Sequence, residues 1–501
     1  MSIVRVIVDA RVRVLKQDLG PVLTDALRKL HEHKNPQHEK LMRMGYRFDH
    51  RKEPRVIRTW RDEGQWLSLP RGGMARTRVL LYENGLELRA RDERSRGSYT
   101  PKKGFVWPTY QRTLYPDQET TLAAILERET CYLRAPTAAG KTEICLAAIA
   151  TVQFPGLIIV WTGSLFDQWL ERIVLGLGMR QRDIGQVRGG KKTIGIVTVA
   201  MQQTLAKIPP GDPFWGFFGI VIADELQRFS APTFIASIDP FPARYRIGAS
   251  ADERRADKKE FLAHDVFADL AISIDRKELV AAGRVRDVEV RVVPTGWWSS
   301  LPPGLGMADE IYKLWLDEMT VSDVRDNIVL RIIEEERAKG EQIIVFSLRT
   351  EHCRRLVGLL ASAGVNAGLM IGGVENREAR QEAIKAMRAG KMRVGVGTIQ
   401  AVGTGVDLPS VGVGILAMPG VRNRQLFGQI AGRVSRLGQR TEVDGPARLY
   451  CLCDPESAKL DYPAFFDDGR PVKVLLPDGA WMDASAHRRK ARVFVVPLAA
   501  S

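Results

Sequence analysis

CYLRA, GLIIVW, IGIVTV, GIVIADE and YRIGAS follow one another between residues 131 and 250, each separated from the next by a stretch long enough for a helix. Such alternation leaves few folds open. Parallel strands need crossover connections of a dozen or more residues, and those connections cover both faces of the sheet. The runs are apolar throughout rather than apolar at every second position, as strands buried on two faces require. After a Pro/Gly/Trp-rich bridge, PTGWWSSLPPGLG (294–306), the pattern returns in QIIVFS, AGLMIG, RVGVGT, VGVGILA and ARLYCLC. Two α/β domains in tandem are expected.

A length of 501 residues with 45 % hydrophobic content supplies a core for each domain and excludes wholesale disorder. The net charge is +15, which points to a polyanion as partner, with nucleic acid first. That charge lies at the ends. Residues 1–104 hold 24 Lys+Arg against 13 Asp+Glu, and Arg470 to Ser501 hold 6 against 2, so Phe105 to Gly469 is neutral. No run of some 18 apolar residues occurs, and MSIVRVIVDARVRV lacks a signal peptide's apolar region and cleavage site. A soluble, intracellular protein without membrane contact is expected. The five cysteines are odd in number and scattered, suggesting neither a disulfide framework nor a zinc site, and Cys451 and Cys453 read as core.

The basic head reads as a folded α+β module. Val4, Val6, Val8, Ala10, Val12 and Val14 have the period of a half-buried strand, PVLTDALRKLHEHK reads as a helix, and the Asn-Gly of RVLLYENGLELRARDE reads as a β-hairpin turn. The head is expected to grip phosphates, and its removal to leave a folded remainder.

Between CYLRA and the helix-like EICLAAIATV stands APTAAGKT (135–142), a P-loop arrangement. Backbone N–H groups of Ala138, Ala139 and Gly140 and the helix N-terminus cradle phosphates, Lys141 reaches the β/γ-phosphates, and the Thr142 hydroxyl ligates Mg²⁺. Ala replaces Gly at the first position, and the loop is poorer in glycine than usual. Asp224 and Glu225 end the apolar run GIVIADE; Asp224 is assigned to metal and Glu225 to the general base that polarises water.

With these residues in order, the chain resembles the superfamily 2 helicases, in the style of the XPB-like and phage UvsW-like branch, over Phe105 to Asp454. LYPDQ (114–118) resembles the adenine-reading segment and implies Gln118 on the adenine edge, with Tyr115 or a neighbour on its face. Thr162, Leu165, Gln168 and Trp169 match T-x-x-L-x-x-Q-W, and Thr198 with Gln202 resembles the next such segment; both imply contacts to the nucleic-acid backbone. DELQ (224–227) stands where the family has DEAH or DEAD. Gly397 and Thr398, followed by Gly405 and Asp407, resemble the G-x-D-x-P loop that links nucleotide to bound strand. Gln429 to Arg436 matches Q-x-x-G-R-x-x-R, which implies that Arg433 and Arg436 face the γ-phosphate across a cleft from Lys141 as arginine fingers. One departure stands out. Ser250-Ala251-Asp252-Glu253-Arg254 lacks the family's Thr and Pro, and with Gln227 in DELQ it puts efficient unwinding in question more than hydrolysis.

The resemblance implies an α/β protein with two tandem RecA-like parallel-sheet domains and a small basic α+β N-terminal domain. Expected boundaries are 1–104 for the nucleic-acid-binding head, 105–284 and 321–455 for the two domains, 285–320 for a linker, and 456–501 for a C-terminal extension. It implies an ATP- and Mg²⁺-dependent motor on duplex, forked or branched DNA in recombination, repair or fork remodelling. Protein partners in replication or defence, and the cytoplasm of a bacterial or phage-infected cell, follow from the same resemblance. Three alternatives stay open: an RNA helicase, the motor subunit of a restriction or defence complex, and an ATP-switched binding protein with little unwinding. Trp297 and Trp298 read as packing of the bridge before base stacking, and His487 to Arg492 as a phosphate clamp or a basic tail.

Overall fold

Each of the ten apolar runs contains a strand. The computed structural model describes residues 2–226, 235, 237–251, 258–267, 271–300, 309–373, 375–403, 408, 411–418, 424–435, 445–454, 470–476 and 479–484. One eight-stranded sheet runs in the order Lys191–Thr193, Gly185–Arg188, Val197–Met201, Gly156–Val160, Ile220–Asp224, Tyr245–Ser250, Thr130–Arg134, Ala271–Ser273, parallel throughout except for its first pair. Its central strands are buried on both faces, Leu157, Ile158, Ile159 and Val160 all at 0 % exposure, which is why those segments show no polar alternation.

The second eight-stranded sheet runs Ala367–Met370, Val394–Thr398, Gln342–Ser347, Val411–Leu416, Ala447–Cys453, Val288–Pro294, Val472–Leu475, Trp481–Asp483, with only the last pair antiparallel. These are the two RecA-like α/β domains. The stretch expected as a linker, 285–320, carries the strand Val288–Pro294 in the middle of this sheet, and the expected C-terminal extension supplies its last two strands. Trp297 packs beside Trp315, ring centroids 6.2 Å apart, while Trp298 is exposed. Cys451 and Cys453 are core, as expected. By contacts the chain forms two compact units, Met1–Pro136 with Gly140–Asp275, and Thr137–Ala139 with Arg276–Ser501.

The head is α+β. Its valine alternation spans two strands, Ser2–Val8 and Val12–Leu15, because Asp9 and Arg11 close a turn between them through Asp9 N–H to the Arg11 carbonyl (3.0 Å) and Arg11 N–H to Asp9 Oδ1 (2.9 Å). Arg61–Glu63 and Trp66–Leu69 extend the sheet on one side and Leu86–Asp92 on the other. The expected Asn-Gly hairpin is absent. Met74–Glu83 is a helix whose Thr77 and Leu81, four apart, are buried, and Asn84-Gly85 ends it, Gly85 turning the chain at φ +72°. The following strand then lies parallel to Ser2–Val8, an arrangement a two-residue hairpin cannot produce.

Several of the head's arginines dock it on the first α/β domain. Arg11 (2.5 Å) and Arg61 (2.7 Å) reach Asp239, which is buried. Asp265, at 0 % exposure, receives His33 (2.9 Å), Arg76 (2.5 Å) and the Thr59 hydroxyl (2.5 Å), with His31 at 3.5 Å. Arg71 donates to the Ala243 and Arg244 carbonyls, and Arg246 to the Ala10 carbonyl. Burial alone would raise the Asp265 carboxyl, but the neighbouring imidazoles of His31 and His33 outweigh it and hold it far below the usual carboxylate range. Gly72 lies so close to the chain at His264 to Phe267 that a Cβ there would meet the His264 carbonyl oxygen at 2.2 Å.

Candidate active site

Register fixes the site. In the first α/β domain Asp224 pairs with Ala249, and Ser250 pairs with Arg134, so Asp224, Ser250 and the start of the P-loop lie in a row at the carboxyl edge of three parallel strands. Ligands of open parallel sheets bind beyond this edge. Ala135 N–H donates to the Ser250 carbonyl at 3.0 Å and ties the loop to that row. Gly140, at φ +87° and ψ 29°, turns the chain into the helix Lys141–Val152. The turn leaves the helix's first N–H groups free of intrahelical partners, and the helix dipole favours an anion there. Lys141 Nζ donates to the Ala135 carbonyl at 2.7 Å, folding its ammonium back across the loop.

Ala138 holds φ +74°, a left-handed conformation that a Cβ makes costly by roughly 1–2 kcal/mol. Ala138→Gly is therefore expected to raise the melting temperature, by a stability gain on the order of 1 kcal/mol. An unchanged or lowered melting temperature would show that the loop relaxes without strain.

Asp224 is 7 % exposed. Its Oδ2 accepts the Trp169 indole N–H at 2.9 Å and its Oδ1 the Glu225 backbone N–H at 2.9 Å. Burial, then the Glu225 charge, pushes the Asp224 carboxyl up to about 6, against the pull of Lys141 and the indole. Glu225 sits at φ +54°, another left-handed non-glycine position, where strain is tolerated mainly at functional sites. Trp169 is the residue that sequence reading missed. The T-x-x-L-x-x-Q-W match implies a contact to the nucleic-acid backbone, yet Trp169 is 2 % exposed. Phe166, Trp169, Leu170, Ile173 and Leu177 are all buried on the helix Gly163–Leu177, and their i, i+3, i+4, i+7 spacing was the available signal.

The other expected residues divide by burial. Thr162 caps the helix Gly163–Leu177 with Oγ1 accepting from Leu165 N–H at 3.3 Å, and Gln168 is half-buried on it. Thr198 and Gln202 are at 0 % exposure, Thr198 Oγ1 donating to the Gly195 carbonyl at 2.8 Å, so neither offers surface to a strand. Gln118 is buried, its side-chain oxygen accepting from Tyr115 N–H at 3.1 Å, while Tyr115 is exposed. In the second domain Thr398 ends the strand Val394–Thr398 and is 6 % exposed; Gln429 is buried and Arg433 half-buried on the helix Arg424–Val434. Gly405, Asp407, Arg436, Gln227 and Asp252 to Arg254 lie outside the described residues.

The donor set suits a polyphosphate with a divalent cation. A helix N-terminus, an ammonium, a threonine hydroxyl and a carboxylate share one edge, whereas among the described residues no cluster of three His, Cys, Asp or Glu forms an all-protein metal cage. Mg²⁺ is commonly held in this fashion, through one or two protein oxygens, phosphates and water.

Two families match the chain: "Type III restriction enzyme, res subunit" over residues 111–252 and "Helicase conserved C-terminal domain" over residues 324–438. A DNA 3'-5' helicase XPB of Kineococcus radiotolerans is 26 % identical over 344 residues, covering 66 % of this chain and 58 % of that protein. A DNA 3'-5' translocase XPB2 of Sulfurisphaera tokodaii is 23 % identical over 353 residues, covering 64 % and 77 %. The chain thus spans little more than half the length of the first of these relatives. The crystal structure of T4 UvsW matches over 91 % of this chain and 90 % of that one at a TM-score of 0.42 and 17 % identity, a likeness too slight to bear on function. The chain thus carries a segment of the restriction-subunit family followed by a helicase conserved C-terminal domain, and over about two thirds of its length it is similar to XPB helicases and translocases.

Proposed function

We propose that the chain is an ATP-dependent DNA helicase or translocase acting on duplex, forked or branched DNA. The observation that carries this reading is the row of Asp224, Ser250 and the P-loop at one sheet edge, with an ammonium and two carboxylates within it. In this reading Lys141 and the N–H groups of the loop bind the phosphates, and Thr142 and Asp224 hold Mg²⁺. Bound there, the cation neutralises charge on the phosphates. Glu225 accepts a proton from the attacking water. Arg433 and Arg436 supply the positive charge that the developing transition state calls for. Gln118 positions the base, while Gly405, Asp407 and Gln429 complete the nucleotide contacts. Thr162 and Gln168, on the helix that also carries Trp169, remain the strand contacts in the first domain; Thr198, Gln202 and Thr398 are too buried to act without local opening.

Trp169 acts through Asp224. Removing a group that orients a metal-holding carboxylate typically lowers metal affinity by about 10–100-fold. Trp169→Phe, which keeps the ring and deletes the N–H, is expected to raise the Mg²⁺ concentration for half-maximal ATP turnover by at least about tenfold, with the fold retained. An unchanged Mg²⁺ requirement would make the bond to Asp224 purely structural.

ATP turnover measured without nucleic acid and with single-stranded DNA, duplex, forked DNA and RNA tests the assignment. Stimulation by DNA is expected, strongest with the fork. Stimulation by RNA alone would make the chain an RNA helicase, and turnover indifferent to every nucleic acid would leave an ATP switch. The match to a restriction-enzyme subunit favours a second reading, the motor of a nuclease complex, and copurification with an endonuclease would support it.

A further inference from the structure

The head's positive charge is of two kinds. Most of its arginines outside one stretch are paired, including Arg5 with Asp18, Arg28 with Asp62, Arg94 with Glu129 and those that dock on Asp239 and Asp265. Between residues 40 and 55 the reverse holds. Lys40, Arg43, Arg47, Arg51, Lys52 and Arg55 are all exposed, and none forms an ion pair among the described residues. The acids of the stretch do not neutralise them: Glu53 is engaged by Asn35 (3.0 Å) and Lys259 (3.4 Å), and Asp49 caps a turn through Arg51 N–H. Among these cations Met42, Met44 and Tyr46 stand 58 %, 53 % and 59 % exposed.

This stretch is built rather than loose. Asn35 caps the helix Pro36–Arg43 by accepting from Gln37 N–H. The chain reverses at Gly45, φ +68°, and Tyr46 N–H returns to the Leu41 carbonyl at 3.2 Å. Phe48, His38 and His50 pack against one another, and His38 Nδ1 lies 2.8 Å from the Glu53 carbonyl. Lys259 ties Glu53 to the first α/β domain. The turn therefore holds two methionines and a tyrosine out in solvent, ringed by unneutralised charge.

Six free cations match a backbone of phosphates, and exposed aromatic and thioether side chains match the faces of bases. A tyrosine on a turn does not reach a base face inside an intact stack, so the complementary partner is DNA with an unpaired base beside a duplex. We propose that residues 40–55 form a DNA-contacting platform, in which the six cations hold phosphates and Tyr46, flanked by Met42 and Met44, stacks on an unpaired base at a fork. The proposal rests on the reading of the chain as a DNA motor and names where the head meets that substrate.

The test uses the full chain and fluorescence anisotropy on labelled single-stranded, blunt-duplex and forked DNA over a series of salt concentrations. Arg43→Ala/Arg47→Ala/Arg51→Ala is expected to flatten the slope of log affinity against log salt by about 2–3 on fork and duplex, at roughly 0.9 per phosphate contact. Tyr46→Ala is expected to weaken fork binding about tenfold and blunt-duplex binding little, and Tyr46→Phe to restore it. ATP turnover without DNA should not change, because none of these residues lies in the nucleotide site. If the parent binds the fork and every variant keeps its affinity and slope, the platform is wrong while the DNA motor stands. If the parent binds no DNA, both readings fall. Binding to phosphatidylglycerol vesicles with the same dependence on Tyr46 and the arginines, and none on DNA, would make the surface a lipid site and overturn the proposal.

Discussion

Lys141→Ala should lower ATP turnover by about 10²–10³-fold or more while leaving the fold and DNA affinity close to those of the parent. Preorganised charge aimed at phosphoryl oxygens is worth at least that much per group, because the site does not reorganise at the moment of reaction. The ammonium is already inside the loop, on the Ala135 carbonyl at 2.7 Å, so phosphate binding exchanges one acceptor for another at little reorganisation. Alanine suits the first turn of Lys141–Val152, and the side chain is only half-buried, so little stability is at stake. The Ala135 carbonyl would lose one partner, at a net loss of about 1 kcal/mol. Steady-state phosphate release, with a melting curve and fork binding on the same sample, separates the outcomes. Turnover near the parent's would remove the loop from catalysis. Turnover lost together with the melting transition would mean that Lys141 holds the loop rather than the phosphates.

How far the sequence carried depended on whether a signal was local. The P-loop, the ten strand-forming runs and the Asp224-Glu225 pair each announce themselves within eight residues, and the strands form where they were expected. The strand Val288–Pro294 was legible as VEVRVVP, but it stands beside PTGWW, and the proline and glycine that follow made the region read as a bridge. Its place between Ala447–Cys453 and Val472–Leu475 depends on pairing across more than 150 residues, which no local pattern encodes. The Asn-Gly of the head misled for a related reason. The dipeptide serves a helix end as well as a hairpin, and Thr77 and Leu81 at helical spacing decided between them. Trp169 was read by its neighbours in a motif. Its partner Asp224 lies 55 positions away, so only the fold could reveal the bond. The charge count of the head was right and its meaning incomplete, since composition does not tell a cation that docks a domain from one that awaits a phosphate.

Removal of residues 1–104 is expected to leave the first α/β domain unable to fold stably, contrary to the modular behaviour that the sequence suggests. The cut uncovers Asp239, which loses Arg11 and Arg61, and Asp265, which loses His31, His33, Thr59 and Arg76. Breaking a buried ion pair by deleting one partner costs about 3–5 kcal/mol, and two such sites approach the whole stability of an ordinary domain, about 5–15 kcal/mol. Newly exposed carboxylates recover part of that in water, but the apolar surface beneath the head does not. Asp265→Ala in the full chain isolates one site: it strands two histidines, an arginine and a threonine at once, and should lower the melting temperature by several degrees. The same cluster fixes the sign of the pH response. Asp265 titrates below its ordinary 3.8 in the folded chain, and burial lowers His31 below 6.5, so in both cases the unfolded chain binds more protons. Stability should therefore fall on acidification, first as pH drops below about 6.5 and again below about 4, and Asp265→Ala should blunt the second step. Melting curves of the parent, Asp265→Ala and residues 105–501 between pH 3.5 and 8 decide the matter. A truncated chain that melts cooperatively at the parent's temperature would show that these buried contacts join two domains already stable apart, and the modular reading would return.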